Sequence, residues 1–184
     1  MRIFIFVLLL VVLRVEGQQA AGFRTSISSG LALGESRPQP VVQLGVGYQF
    51  RRLYTGVGGG YDGYRFASWP VYAEARYYPS ESTGFYGYGH AGYSIANRHH
   101  RESTGWGSGE KWRNGGFYSD LGIGYRFPAG KRQTFSFALG YSVKNVKSTE
   151  IYNCTGCEND PGNTWIDKHR LSRILVKMIY EFNW

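Results

Sequence analysis

The chain has 184 residues, 42% of them hydrophobic and 17% aromatic, with 26 glycines and a formal charge of +8. That length suits one domain, and abundant Tyr, Phe, Trp and Gly with modest Lys plus Glu favours an all-β chain over a helical bundle. A basic, aromatic chain raises nucleic acid as a partner, but the cations are spread along the sequence instead of gathered in one arm, and the export signal described next argues against it.

At the N-terminus Arg2 precedes an uninterrupted apolar run from Ile3 to Leu13. A spanning helix needs roughly 17–25 apolar residues, whereas about 7–15 suits the core of a secretory signal. Met1 to about Gly17 is therefore read as a removable signal peptide, residues 1–17, ahead of a barrel domain at 18–184. Cleavage after Val15-Glu16-Gly17 leaves Gln18 at the new terminus, and Ala20-Ala21 offers a second small-residue site. Loss of Arg2, Arg14 and Glu16 removes two positive charges and one negative, so the mature charge is +7.

Eight segments of the mature chain carry apolar residues at every second position, the period that sends alternate side chains to opposite faces of a strand. The first runs from about Phe23 to Leu33. In the second, Val42, Leu44, Val46, Tyr48 and Phe50 oppose Gln43, Gly45, Gly47 and Gln49. The third spans Leu53 to Asp62. In the fourth, Trp69, Val71, Ala73, Ala75 and Tyr77 oppose Tyr72, Glu74, Arg76 and Tyr78. The fifth runs from Phe85 to Asn97. The sixth sets Phe117, Leu121, Ile123, Tyr125 and Phe127 against Tyr118, Asp120, Gly122, Gly124 and Arg126. The seventh sets Phe135, Phe137, Leu139, Tyr141 and Val143 against Thr134, Ser136, Ala138, Gly140, Ser142 and Lys144, and the eighth sets Ile174, Val176, Met178, Tyr180 and Phe182 against Arg173, Lys177 and Glu181. Tight links at Arg51-Arg52, Pro79–Thr83 and Pro128–Arg132 alternate with links at Gly34–Gln39 and Gly63–Ser68 and with two long polar stretches, Arg98–Asn114 and Lys147–Lys168. Short turns on one side and longer loops on the other predict an all-β, eight-stranded antiparallel up-and-down transmembrane β-barrel, with the turns and both termini periplasmic. Recurrent Gly-aromatic pairs such as Gly47-Tyr48, Gly124-Tyr125 and Gly140-Tyr141 read as a device that makes room inside a narrow barrel. The two GxGxxG matches that this creates, Gly58-Gly60-Gly63 and Gly87-Gly89-Gly92, open no helix and carry no nucleotide signal.

Alternation alone does not say which face points outward, because a soluble secreted ligand-binding barrel would turn the same apolar set inward. Three features point to lipid. The polar face carries Glu74, Arg76, Asp120, Arg126, Arg173, Lys177 and Glu181; the apolar face carries Trp69, Tyr77, Phe127, Tyr180 and Phe182 toward strand ends; and the chain stops on Tyr180-Glu181-Phe182-Asn183-Trp184. That last strand, with its terminal aromatic, resembles the assembly signal of gram-negative outer-membrane barrels. The stretch from Gly45 to Tyr78, with Tyr61-Asp62-Gly63-Tyr64-Arg65-Phe66 and Trp69-Pro70-Val71-Tyr72, is similar to the bacterial outer-membrane β-barrel domain family. The resemblance implies location in the outer membrane, contact with its lipid and lipopolysaccharide, and recognition of Phe182 and Trp184 by the assembly machinery. A soluble barrel of lipocalin type would show a Gly-x-Trp near the first strand, which is missing here.

Eight strands make a barrel that side chains fill, so no open pore is expected. The seven inner charges named above are then expected to form an ion-paired lumen network, because unpaired charge in such a space is costly. A lipid-modifying enzyme is the alternative: His90 and Ser94 share one strand face, and His99 and His100 follow it. A triad needs nucleophile, base and orienting acid within hydrogen-bond reach, and no G-x-S-x-G elbow is present. No catalysis is expected, and no cofactor. Cys154 and Cys157 form a lone CxxC, too few ligands for a closed zinc site and consistent with a small loop disulfide. The Arg98–Asn114 stretch mixes Arg98, His99, His100, Arg101, Lys111 and Arg113 with Trp106 and Trp112, a composition suited to a headgroup-facing rim or to anionic sugar. The protein is expected to act as a monomer.

Overall fold

The computed structural model describes residues 22–35, 37–80, 84–96, 98–104, 107–130, 132–154 and 163–184; within these, the side chains of 98–104, 107–111, 128, 150–154 and 163 fall outside the description. The expected signal segment and Cys157 lie outside the described residues, as do the side chains of His99, His100 and Cys154.

Ten strands appear in chain order: β1 (Gly22–Leu33), β2 (Gln39–Phe50), β3 (Leu53–Asp62), β4 (Trp69–Tyr77), β5 (Phe85–Ile95), β6 (Arg98–Thr104), β7 (Gly107–Asn114), β8 (Gly116–Pro128), β9 (Gln133–Cys154) and β10 (Asn163–Asn183). Eight of them form a closed antiparallel ring. Each of β1 to β5 pairs with the next, β5 pairs with β8, β8 with β9 and β9 with β10, and β10 returns to β1 through Arg24↔Asn183 to Leu33↔Ile174. Closure leaves no free edge within the ring, so the backbone groups of every barrel strand are paired on both sides.

The side chains are distributed inside out relative to a soluble barrel. Leu121 and Ile123 are each 65% exposed, while Asp120, next to Leu121 on β8, and Lys144 on the neighbouring β9 are 0% exposed. The same inversion runs around the ring: Leu44, Val46, Val57, Val71, Leu139 and Val176 face outward, and Gln43, Tyr54, Glu74, His90, Ser142 and Arg173 face inward. Aromatic pairs gather on the outer surface toward the turn end, among them Phe23 on Tyr48 at 5.1 Å, Phe85 on Tyr125 at 4.7 Å and Phe182 on Trp184 at 5.2 Å. Trp184 is outward and exposed, with its Nε1 donating to Thr25 Oγ1 at 3.1 Å and its backbone N–H to Phe23 O.

The polar stretches Arg98–Asn114 and Lys147–Lys168 depart from the sequence expectation. They are not plain loops. β9 and β10 continue in register past the ring up to Asn163↔Tyr152, and β6 and β7 form a hairpin that docks on the raised part of β9, from Asn114↔Lys147 to Gly107↔Cys154. Alternation disappears there because nothing on the outer face needs to be apolar, yet the backbone ladder continues; a polar sequence with Thr149, Ile151 and Tyr152 still pairs well. The molecule is therefore a barrel carrying a four-stranded sheet, in the order β10, β9, β7, β6, above one side of its rim.

Candidate functional site

The inward face of β10 sets the plan of the lumen. From the turn end upward it presents Glu181, Lys177 and Arg173, four residues apart, separated by buried Ile179 and Leu175. Each charge is the centre of a cluster.

At the lowest level Arg76 bridges Glu74 and Glu181, and Arg24 stands 3.9 Å from Glu181. The Arg76 guanidinium lies 5.0 Å from the Tyr54 ring, and Arg126, half-buried nearer the turn end, lies 4.8 Å from the Tyr78 ring. In the middle Lys177 Nζ donates to Asp120 Oδ2 at 2.6 Å and sits 4.2 Å over the Tyr88 ring, while Tyr88 Oη donates to Asp120 Oδ1 at 3.0 Å. His90 joins these two levels, with Nε2 at 3.3 Å from Glu74 and Nδ1 at 3.5 Å from Asp120, its ring stacked on Tyr72 at 4.4 Å. Above them Gln43 Nε2 donates to Tyr118 Oη.

The third cluster is centred on Asp62. Arg173 grips its carboxylate with both terminal nitrogens, Nη1 at 2.9 Å from Oδ1, and Lys144 Nζ is 3.1 Å from Oδ2. Two-pronged guanidinium–carboxylate contact is the strongest common form of such a pair. Lys144 also donates to Tyr64 O, Phe66 O and Ser68 Oγ, and Asp62 Oδ1 accepts from the Tyr64 backbone N–H. These bonds fold the β3–β4 link into the mouth. Tyr64 drops into a cluster of Ala32, Val41, Ala96, Val146, Leu171 and Leu175, with its ring 5.2 Å from the Arg173 guanidinium. Phe66 packs on the same cluster, with His169 at 5.4 Å and the Arg113 guanidinium 4.7 Å away. The lumen is thus capped at its loop end by an aromatic plug over a buried ion triad.

Glycines give the tyrosines their space. A Cβ at Gly124 would lie 2.3 Å from the Tyr86 ring, and one at Gly140 would lie 2.0 Å from Tyr88 Oη. Either substitution forces the ring out of the lumen or opens the strand pair.

Six of the seven charges singled out from sequence are buried and ion-paired here, and Arg126 is placed over an aromatic ring. The expected charge network leaves out Asp62, Arg24 and Lys144, although the alternation already places Lys144 on the inward face of its strand. Each has the inward parity of its strand, which was the available signal, but Asp62 and Lys144 stand next to polar stretches and Arg24 lies in the serine-rich β1, where alternation is faint. The suggested His90–Ser94 pairing is not assembled: they are four residues apart on β5, roughly 13 Å of strand, and His90 faces Glu74 through Nε2 with its ring stacked on Tyr72. Among the described residues no group of three or more His, Cys, Asp or Glu is placed to hold a metal.

No protein-family model and no curated relative matches the chain. Among solved structures it is similar to the CymD monoaromatic hydrocarbon channel at 10% identity, over 91% of this chain and 90% of that one, with a TM-score of 0.30.

Proposed function

We propose that the protein is an outer-membrane barrel with a sealed, side-chain-filled lumen, whose turns face the periplasm and whose raised sheet faces outward as a binding surface for the surrounding lipid and lipopolysaccharide. The observation that carries the location is the inversion of burial: an outward apolar belt around the whole ring encloses charges that a soluble barrel would leave in water. A soluble ligand-binding barrel would need an apolar interior, and this one holds Asp62, Glu74, Asp120 and Glu181 with their cations. The observation that supports a structural or binding role is the filled lumen, where every tier is bridged by ion pairs and the mouth is closed by Tyr64 and Phe66. Phe182 and exposed Trp184, packed edge to face at the turn end of β10, fit recognition by the assembly machinery. The ring satisfies its own strand edges, which favours a monomer.

The test is twofold. The protein should resist carbonate extraction from envelopes and dissolve in detergent with a heat-dependent mobility shift. Purified protein in planar bilayers should show no long-lived open-channel conductance, and deleting it should leave lipid A and phospholipid composition unchanged. A steady conductance would replace the sealed-lumen reading with a channel; altered lipids would replace the binding reading with an enzyme.

A further inference from the structure

The outward face of the raised sheet carries a cation cluster whose position has a specific chemistry. Going up β9 and β10 from the belt, the outward pairs are Tyr141–Ile174, then Val143–Ser172, then Asn145–Arg170, then Lys147–Lys168, then Thr149–Ile166. The parity holds throughout, because Val146 and Ser148 are buried on the inner face and His169 packs inward against Phe66. Lys147 and Lys168 are thus directly opposed across the ladder, with Arg170 next to them on the same face, and all three are exposed. β7 extends the rows with Asn114 beside Lys147 and with exposed Trp112 beside Thr149.

Like charges directly opposite each other on one sheet face destabilise the pairing, and neither the Lys147–Lys168 pair nor the adjacent Asn145–Arg170 pair holds a carboxylate to offset them; Asp167, next to Lys168, has the inner parity. Such a row is tolerated when an anion lies across it. We propose that Arg170, Lys168 and Lys147 bind the phosphate of a phosphorylated outer-leaflet glycolipid, with Asn114 and Asn145 as neutral donors beside it. This rests on the membrane reading above, because the cluster begins immediately past the last apolar outward pairs, where a lipid held against the belt would bring its headgroup. Ile166 and Trp112 border the cluster on its far side, so the phosphate group sits between apolar belt and aromatic rim. The arrangement selects a multiply charged phosphate attached to acyl chains over a zwitterionic headgroup, since only the former supplies excess negative charge to three cations.

The test uses the full chain folded in zwitterionic phosphatidylcholine vesicles, with binding of bisphosphorylated lipid A read by native mass spectrometry and by the rise in thermal midpoint. The triple variant Lys147→Gln/Lys168→Gln/Arg170→Gln should bind on the order of tenfold to hundredfold more weakly, as expected for the loss of three surface cations. A control variant, Arg51→Gln/Arg52→Gln at the turn end, should bind as the parent does. Dephosphorylated lipid A should lose the difference between parent and triple variant, whereas free inorganic phosphate in excess should compete only weakly. Equal binding by parent and triple variant, or full competition by free phosphate, overturns the proposal. Folding and heat-shifted mobility in the phosphatidylcholine vesicles alone tests the membrane reading separately; a chain that stays soluble there removes that reading before any lipid A is added.

Discussion

β9 and β10 are the two longest strands, and each passes through both regions of the molecule. In the ring, β10 alternates Ile174, Val176 and Met178 outside against Arg173, Leu175 and Lys177 inside; above it, the same strand reads Thr164, Trp165, Ile166, Asp167, Lys168 with no such division. The backbone pairing is continuous across the change. What differs is the surroundings of each face. In the ring the outer face must be apolar and the inner face must fill a closed space, so both are constrained; in the raised sheet the outer face is free to carry charge. Hydrogen bonding builds the strand in both places, and the environment alone writes the alternation.

That contrast is sharpest at the charge triad. Asp62→Ala removes the only carboxylate within bonding distance of Arg173 and Lys144 among the described residues, leaving two buried cations uncompensated. We expect a loss of about 3–5 kcal/mol in urea unfolding from lipid vesicles, with early release of the Tyr64 plug seen as protease cleavage near residues 63–67. An effect no larger than for a surface substitution would mean that water reaches the triad and the mouth is open.

Next in size is a charge placed on the outer face. Val176→Arg should cost roughly 2–4 kcal/mol, the range for an arginine near the middle of the bilayer, while Ile166→Arg on the same face of the same strand should stay within about 0.5 kcal/mol. Similar costs at both sites would erase the difference between the two regions. Replacing Arg98–Asn114 by a short turn should lower barrel stability by only about 1 kcal/mol, because the ring is closed without β6 and β7: the β7–β9 pairing lost with the hairpin lies beyond the ring, and the mouth loses the Arg113 and Phe66 contact. Collapse of the fold in that variant would make the hairpin part of the barrel and not a passenger on it. The smallest equilibrium effect is expected at Trp184. Deleting Phe182–Trp184 should reduce the amount of inserted protein in cells, yet the purified chain should refold in detergent to a heat-modifiable barrel; unaltered insertion would exclude the C-terminal aromatics as an assembly signal.

The ring was legible from the sequence because two constraints act on it at once. Leu53–Asp62 was found to the residue, and the inward and outward sets of β2, β4, β8, β9 and β10 follow the two-residue period. The raised sheet was not legible, since one-sided constraint leaves polar strands that resemble loops. The charge network was legible in its members and not in its partners. Glu74 and Arg76 share a face by parity, but that Arg76 also reaches Glu181 across the lumen depends on barrel closure, which no local pattern encodes. Asp62 was missed for the same reason: its role comes from a two-pronged contact with Arg173, 111 positions away. The plug formed by Tyr64 and Phe66 lies in a six-residue link whose aromatic content was visible and whose inward turn was not.

The central claim, that one continuous strand pair leaves lipid and becomes a solvent-facing binding sheet, is tested most directly by spin labels placed along the outer face of β10. Single cysteines at Ile166, Lys168, Arg170, Ile174, Val176 and Met178, in a chain with Cys154→Ser and Cys157→Ser and folded in lipid vesicles, would be probed with oxygen and with a water-soluble nickel complex. The account predicts high oxygen and low nickel accessibility at Ile174, Val176 and Met178, reversing between Ile174 and Arg170, with Ile166 and Lys168 reached by nickel. Nickel accessibility at Val176 and Met178 equal to that at Ile166 would contradict it, since the belt would then face water and the barrel would not be a membrane protein.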